Sequence, residues 1–224
     1  MDENKELEEQ KKALKRHALK HNLRPLKRNG RMMLGAALAR ILMHQPHATA
    51  QRAADILYLA ETEMAHIAGM PITMAPWYIW KRGPVSVDIL EDLRDSNPDA
   101  GALCGHAVVP TGKSRRPLKV NPENVDYSVL ERYDGDILPI LDEIAQKYGD
   151  IPDEKMHEML CGEGTPWRTQ AVETGVMKAF EEGSAITSTM KVQFPLIAKD
   201  EDGRDLLDTI HGSAYTIQCV QLHV

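Results

Sequence analysis

Four side chains of the types that bind metals lie in two pairs, Cys104 with His106 and His157 with Cys161. Thiolate and imidazole groups are the ligands that zinc prefers. The second pair is four residues apart, so on a helix both side chains would lie on one face. Neither spacing is a usual zinc spacing. We therefore expect no metal site, although a metal-dependent enzyme stays open as an alternative.

Two further chemistries, phosphate binding and nucleophilic attack, lack their motifs. The "GKS" at residues 112–114 would need a glycine five residues before Gly112 to form a phosphate-binding loop, and position 107 is Ala. The chain contains no G-x-S-x-G, and none of its three cysteines lies in a catalytic signature. The sequence therefore predicts a protein that is not an enzyme and needs no cofactor.

The segment "PWYIWKRGPV" (76–85) indicates binding instead, because three of the chain's 11 aromatic residues lie at positions 77, 78 and 80. Trp and Arg are the residue types enriched at binding hot spots. We predict that Trp77, Trp80, Lys81 and Arg82 contact a protein partner. The alternative is a scaffold role, which large aromatic residues such as Tyr78 usually have because they are mostly buried.

The elements around this segment should be a strand, a turn and a short helix. Residues 76–82 are β-prone, and in a strand positions 77, 79 and 81 would face one way while 78, 80 and 82 face the other. Gly83 and Pro84 should turn the strand into a helix over residues 85–94. Both residues are therefore predicted to be structural.

The rest of the chain reads as helices followed by β-prone segments. Residues 32–43 predict a buried helix, and residues 53–67 an amphipathic one that Thr49 caps and Gly69 ends. Residues 137–148 and 156–160 predict further helices, and Thr165-Pro166 begins a last one that reaches about Gly175. Residues 106–121 predict a β-hairpin, and residues 189–199 and 214–224 a terminal pair of strands.

These patterns predict a mainly α fold of the α+β type, with a small antiparallel β component and a C-terminal strand pair. The predicted divisions are a basic helical arm at 1–31, a compact helical domain at 32–180 and a C-terminal β extension at 181–224. Charge supports the first boundary: residues 1–31 carry ten Lys/Arg and five Asp/Glu, whereas the remainder carries 17 and 28.

The basic run at 11–31 has nine Lys/Arg and no acidic residue, so it could contact nucleic acid or an acidic partner, or be a solvated helix. The three cysteines are odd in number and far apart, which is typical of a reducing compartment. No apolar run is long enough for a bilayer or typical of a signal peptide. We expect a cytoplasmic protein without a membrane partner.

Three blocks of the sequence, in order, resemble the Panacea domain of SocA-like antitoxins and of proteins described as phage-associated or GepA-like. The blocks are "AADILYLAE" (53–61), "GMPITMAPWYIWKRGPVSVDIL" (69–90) and "IAQKYGDIPDEKMHEMLCGEGTPW" (144–167). The residues that match the family's pattern are Leu57, Tyr58, Ala60, Gly69, Pro71, Ile72, Thr73, Tyr78, Gly83, Pro84, Val85, Tyr148, Gly149, Pro166 and Trp167. Those that we predict to be structural are Tyr58, Gly69, Pro71, Tyr78, Gly83, Pro84, Gly149 and Trp167.

The resemblance covers roughly residues 33–175 and departs from the family at two places. Arg82 stands where an aromatic residue is common, and "LCGEGTPW" lacks the Thr-His that often precedes Pro-Trp. What the resemblance implies is an antitoxin that neutralises a cognate protein toxin by direct contact, and that could also deliver the toxin to a bacterial protease. A nucleic-acid-binding regulator of a phage or mobile element, using residues 11–31, is the alternative.

Overall fold

The computed structural model describes residues 28–68, 71–73, 75–94, 97–111, 117–131 and 137–194. The structure describes only the backbone at residues 28, 29, 67, 68 and 131. The predictions for residues 1–27, for Gly69 and for a strand at 214–224 lie outside the described residues.

Helices dominate the part of the chain that the structure describes, which contains eight α-helices and two two-stranded antiparallel sheets. The helices are α1 (Arg28–His44), α2 (Ala50–Ala68), α3 (Val87–Asp92), α4 (Ser128–Glu131), α5 (Ile137–Tyr148), α6 (Asp153–Cys161), α7 (Pro166–Glu173) and α8 (Val176–Glu181). The strands are β1 (Tyr78–Trp80), β2 (Gly83–Val85), β3 (Val108–Pro110) and β4 (Leu118–Val120). The predicted mainly α fold with a small antiparallel β component is confirmed.

The main core lies where α1, α2 and α5 pack against one another. Helix α1 is apolar along most of its length, and its Leu34, Leu38 and Ile41 are fully buried. Helix α5 is amphipathic and directs Leu141 and Ile144 into the same core. Because each fully buried side chain of this size stabilises the fold by about 1.5–3 kcal/mol, these three helices form the scaffold on which the rest is mounted.

Two helices begin at the caps that the sequence predicts. The hydroxyl of Thr49 accepts a hydrogen bond from the backbone N–H of Arg52 at 3.2 Å, just before α2. The hydroxyl of Thr165 accepts one from the N–H of Arg168, also at 3.2 Å, and Pro166 occupies the first turn of α7. Both caps satisfy N–H groups that the first turn of a helix otherwise leaves without a partner.

Polar contacts join the carboxyl end of α1 to α5. The guanidinium of Arg40 donates two hydrogen bonds of 2.5 Å to the carboxylate of Asp142, and His44 Nε2 lies 2.8 Å from the same carboxylate. The side-chain amide of Gln45 donates to the carbonyl of Ala145 at 3.2 Å. A Cβ at Gly149 would lie 1.9 Å from this amide and 2.5 Å from that carbonyl, so the motif glycine allows a close contact.

The segment after residue 76 differs from the prediction, because Gly83 and Pro84 do not lead into a helix. They form the second strand of a hairpin with β1, whose turn is Lys81–Arg82, and α3 begins only at Val87. Pro84 pairs with Ile79, whose N–H points away from β2 and donates to Met190. Because Ile79 and Pro84 exchange no hydrogen bond in the ladder, the missing N–H of the proline leaves no ladder hydrogen bond unmade.

Both faces of this hairpin are buried, with the alternation that the sequence predicts. Trp77 and Ile79 belong to the main core. Tyr78 and Trp80 lie on the other face, in a small second cluster that includes Val85 and Val87.

Residues 186–194 run beside β1 without forming a regular strand. The N–H of Ile79 donates to Met190 at 2.9 Å, that of Lys81 to Ile186 at 3.0 Å, and that of Val192 to Trp77 at 2.7 Å. A single antiparallel bridge joins Tyr78 to Lys191. The predicted strand at 189–199 is thus replaced by an irregular connection over its described part, which is hydrogen-bonded to Trp77, Ile79 and the Gln170 side chain of α7. The domain boundaries stay a prediction.

Helix α8 and the β3–β4 hairpin complete the described fold. The prediction ended the last helix near Gly175, but that glycine, at φ +74°, joins α7 to the additional helix α8. The hairpin predicted within residues 106–121 is confirmed and contacts α1.

Candidate partner-binding site

Several residues of the family pattern lie at the β1–β2 hairpin. Tyr58 of α2 contacts Trp77 edge to face, with ring centroids 5.1 Å apart and planes at 68°. The indole N–H of Trp167, at the start of α7, donates to the carbonyl of Trp80 at 3.2 Å. Trp167 also stacks on Phe180 of α8 at 6.4 Å between centroids. Helices from both halves of the chain therefore fix the hairpin in place.

Gly83 allows β2 to approach α6 closely. Its φ of +131° is a backbone conformation that residues with a side chain rarely adopt, and a Cβ at this position would lie 3.3 Å from the sulfur of Cys161. Burial raises the pKa of Cys161 to about 12, so the thiol stays neutral and packs as a small apolar group. Strand β2 therefore lies directly on the carboxyl end of α6.

The turn Lys81–Arg82, which we call the hairpin tip, is the part of this segment that reaches the surface. Arg82 is exposed and Lys81 is half-buried. The Nδ1–H of His157, on α6, donates to the carbonyl of Arg82 at 3.2 Å, and the N–H of Lys81 donates to Ile186 at 3.0 Å. Hydrogen bonds from two different segments thus hold the backbone of the tip.

A small pocket of about 290 Å³, which we call the tip pocket, opens beside the hairpin tip. Cationic, apolar and acidic side chains line it: Lys81, His157, Cys161, Trp167, Arg168, Met177, Phe180 and Glu181. The pocket lies where the tip meets α6, α7 and α8, and it is next to the residues for which the sequence predicts partner contact.

The four residues predicted to bind a partner lie in two different environments. Trp77 and Trp80 are 1% and 3% exposed, so a partner could reach them only if neighbouring segments moved. Their surroundings favour the scaffold role that the sequence also allowed. Lys81 and Arg82 lie on the surface at the tip. Partner contact stays a prediction for all four, and the structure directs attention to Lys81 and Arg82.

The residues predicted to be structural lie inside the protein wherever the structure describes them. Pro71, Tyr78, Gly83, Pro84, Gly149 and Trp167 are buried, as is Tyr58. Burial raises the pKa of the Tyr58 hydroxyl, so this group stays protonated.

The cysteine and histidine pairs are used in the packing of the chain. The thiol of Cys104 donates to the carbonyls of Gly101 and Val108 at 3.3 and 3.2 Å, and His106 Nδ1 lies 3.3 Å from the carbonyl of Ala100. His157 and Cys161 contact the β1–β2 hairpin, as described above. Within the described ranges, no three His, Cys, Asp or Glu side chains form a group that could hold a metal ion.

A buried acid that the sequence prediction missed anchors the loop leading to the hairpin. Glu61 is fully buried, and the N–H of Thr73 lies 3.2 Å from both of its carboxylate oxygens. The Thr73 hydroxyl also donates to Glu61. Burial raises the pKa of Glu61 to about 7. Its position four residues after Leu57, on the buried face of α2, is the signal in the sequence that could have found it.

The fold and these contacts define a helical domain that displays a rigid, cationic hairpin tip. Residues 56–168 match the family described as Antitoxin SocA-like, Panacea domain. This match spans just over half of the chain, so the protein belongs to the SocA-like Panacea family, as the resemblance predicted. No curated protein and no solved structure matches the chain significantly. None of the helices in the described ranges is long and apolar enough to cross a membrane.

Proposed function

We propose that this protein is a cytoplasmic antitoxin that neutralises a separate protein toxin by direct contact, without catalysis. Membership of the SocA-like antitoxin family supports the role. The observation that carries the mode of action is the arrangement of the family's motif residues. Tyr58 packs against Trp77 just before the hairpin, and Trp167 binds the hairpin backbone, while Tyr78 fills the cluster on its other face.

The hairpin tip suits a protein contact because its backbone is fixed before a partner arrives. Hydrogen bonds to His157 and Ile186 hold it, so little conformational entropy is lost on binding. Arg82 is exposed, and Arg is a residue type enriched at binding hot spots. We propose the tip as the centre of the toxin contact, and delivery of bound toxin to a protease as an additional role. The nucleic-acid alternative depends on residues 11–31, of which only 28–31 lie in the described part.

Co-expression with the neighbouring reading frame tests this function. Growth should stop when that reading frame is expressed alone and should resume when this protein is present. The double variant Lys81→Glu/Arg82→Glu should fail to restore growth, because it reverses the charge of the tip without touching the core. Lys119→Glu is the matched control, since Lys119 is also an exposed cation on a hairpin, the β3–β4 one. Failure of the wild-type protein to restore growth would contradict the antitoxin role.

A further inference from the structure

The tip pocket contains two cations, Lys81 and Arg168. Neither forms an ion pair with any residue in the described ranges. Arg168 Nη1 instead lies 3.3 Å from the thioether sulfur of Met177, which is a weak acceptor. Both cations are half-buried. They are therefore partly removed from water without receiving the charge-assisted hydrogen bonds that would offset this cost.

The side chains that line the pocket carry a net charge of +1, since Lys81 and Arg168 stand against Glu181 when histidine is left aside, and Asp55 is not among them. Glu181 is the one carboxylate among the lining residues that the structure describes, and it makes no ion pair with either cation in this part of the chain. Asp55 also lies close enough to raise the pKa of Cys161, whereas Arg168 acts in the opposite direction. One ring nitrogen of His157 already donates a hydrogen bond to the carbonyl of Arg82 at the hairpin tip.

The size of the pocket limits what could occupy it. Clefts for small molecules are typically about 300–1,000 Å³, so a volume of about 290 Å³ lies at the lower end of this range and has room for one side chain. Trp167, Met177 and Phe180 supply apolar walls that would contact the methylene groups of that side chain. The guanidinium of Arg168 could bind both oxygens of its carboxylate.

We infer that the tip pocket binds the carboxylate of an Asp or Glu side chain on a protein partner, an assignment that rests on the antitoxin function proposed above. The surrounding body supports this choice, because residues 32–224 carry 17 Lys/Arg against 28 Asp/Glu. An acidic segment would be repelled by most of this surface and attracted to the cationic pocket. Electrostatic complementarity of this kind sets orientation and encounter rate.

A peptide titration tests the pocket without knowledge of the toxin. The probe is acetyl-Ala-Glu-Ala-amide, added to ¹⁵N-labelled full-length protein and followed by NMR. The Lys81 amide and the Trp167 indole N–H should shift in a saturable way, and the Gln and Lys versions of the peptide should bind at least about tenfold more weakly, since they lack the charged acceptor. Equal binding of the Gln peptide, or shifts confined to other residues, would overturn the inference.

Matched variants connect the peptide to the toxin. Lys81→Gln/Arg168→Gln should lose the response to the Glu peptide, while Lys119→Gln should keep it and both variants should retain the wild-type circular dichroism spectrum. The same double variant should bind the purified neighbouring protein at least about tenfold more weakly. If wild type and the double variant bind the neighbouring protein equally tightly, the pocket is refuted but the antitoxin role is not. Failure of the wild type to bind it at all would refute the antitoxin role, and the Glu peptide would still decide about the pocket.

Discussion

Replacing Gly83 by Ala should destabilise the protein more than the same change at an ordinary turn glycine. The φ of +131° at Gly83 lies outside the left-handed well that other residues can enter, and the new Cβ would lie 3.3 Å from the sulfur of Cys161. Backbone strain of this kind costs about 1–3 kcal/mol. For a chain of this size each kcal/mol lowers the melting temperature by about 2–4 °C, so we expect a decrease of about 2–12 °C.

Gly105→Ala is the matched control for this substitution. Gly105 has φ +64°, inside the left-handed well, and a Cβ there would contact nothing within 4 Å. Its replacement should cost only about 1 kcal/mol. Both variants would be compared with wild type by thermal unfolding followed by circular dichroism. A Gly83→Ala protein that melts like wild type, or no lower than Gly105→Ala, would refute the role given to this hairpin conformation.

Three further predictions concern side-chain contacts that stabilise the fold. Because burial raises the pKa of Glu61 from 4.5 to about 7, its protonated form is favoured in the folded state, and its contribution to stability should be lost as pH rises from about 4.5 to 7. The free energy of unfolding of Glu61→Gln relative to wild type, measured in urea, should therefore rise by up to roughly 3 kcal/mol between pH 5 and pH 8. The same difference at both pH values would contradict the raised pKa. Hydrogen bonds from Arg40 lower the pKa of Asp142, so its stabilisation should be present above the ordinary value of 3.8 and lost as pH falls below it. Asp142→Asn should cost about 1 kcal/mol at pH 7 in urea unfolding, with the difference shrinking at pH 3, and a pH-independent cost would show that charge is not the cause. Trp167→Phe removes the 3.2 Å hydrogen bond to the carbonyl of Trp80 and should cost about 0.5–1.5 kcal/mol, whereas unchanged stability would mean that this bond does not fix the hairpin.

Local patterns in the sequence predicted the helices well because their causes are local. The caps Thr49 and Thr165 bind N–H groups within one helical turn, and the apolar residues of α5 recur at helical spacing within the helix itself. The positions of tight turns depended on longer-range contacts. Gly83-Pro84 was predicted as a turn, but both residues lie in strand β2. The N–H of Ile79 donates to Met190, more than a hundred residues away, so Pro84 can pair with Ile79 although it has no N–H of its own.

The candidate site was predictable only in part, for the same reason. Residue type alone favoured Trp77 and Trp80 as contacts, yet α2 and α7 bury both, and these helices are distant in the sequence. The tip pocket could not be predicted, because Lys81 and Arg168 come together only when α7 packs beside the hairpin. Glu61 was missed because a charged residue on a buried face breaks the apolar pattern, although Thr73 supplies hydrogen bonds to its carboxylate.

The most direct test of the account is the affinity of this protein for the purified product of the neighbouring reading frame, measured by isothermal titration calorimetry. We expect a saturable complex for wild type and for Lys119→Glu. For Lys81→Glu/Arg82→Glu we expect an affinity at least about 30-fold weaker, which corresponds to loss of a binding hot spot worth about 2 kcal/mol or more. Equal affinity for all three proteins would contradict the hairpin tip as the contact, and no binding by the wild type would contradict neutralisation by direct contact.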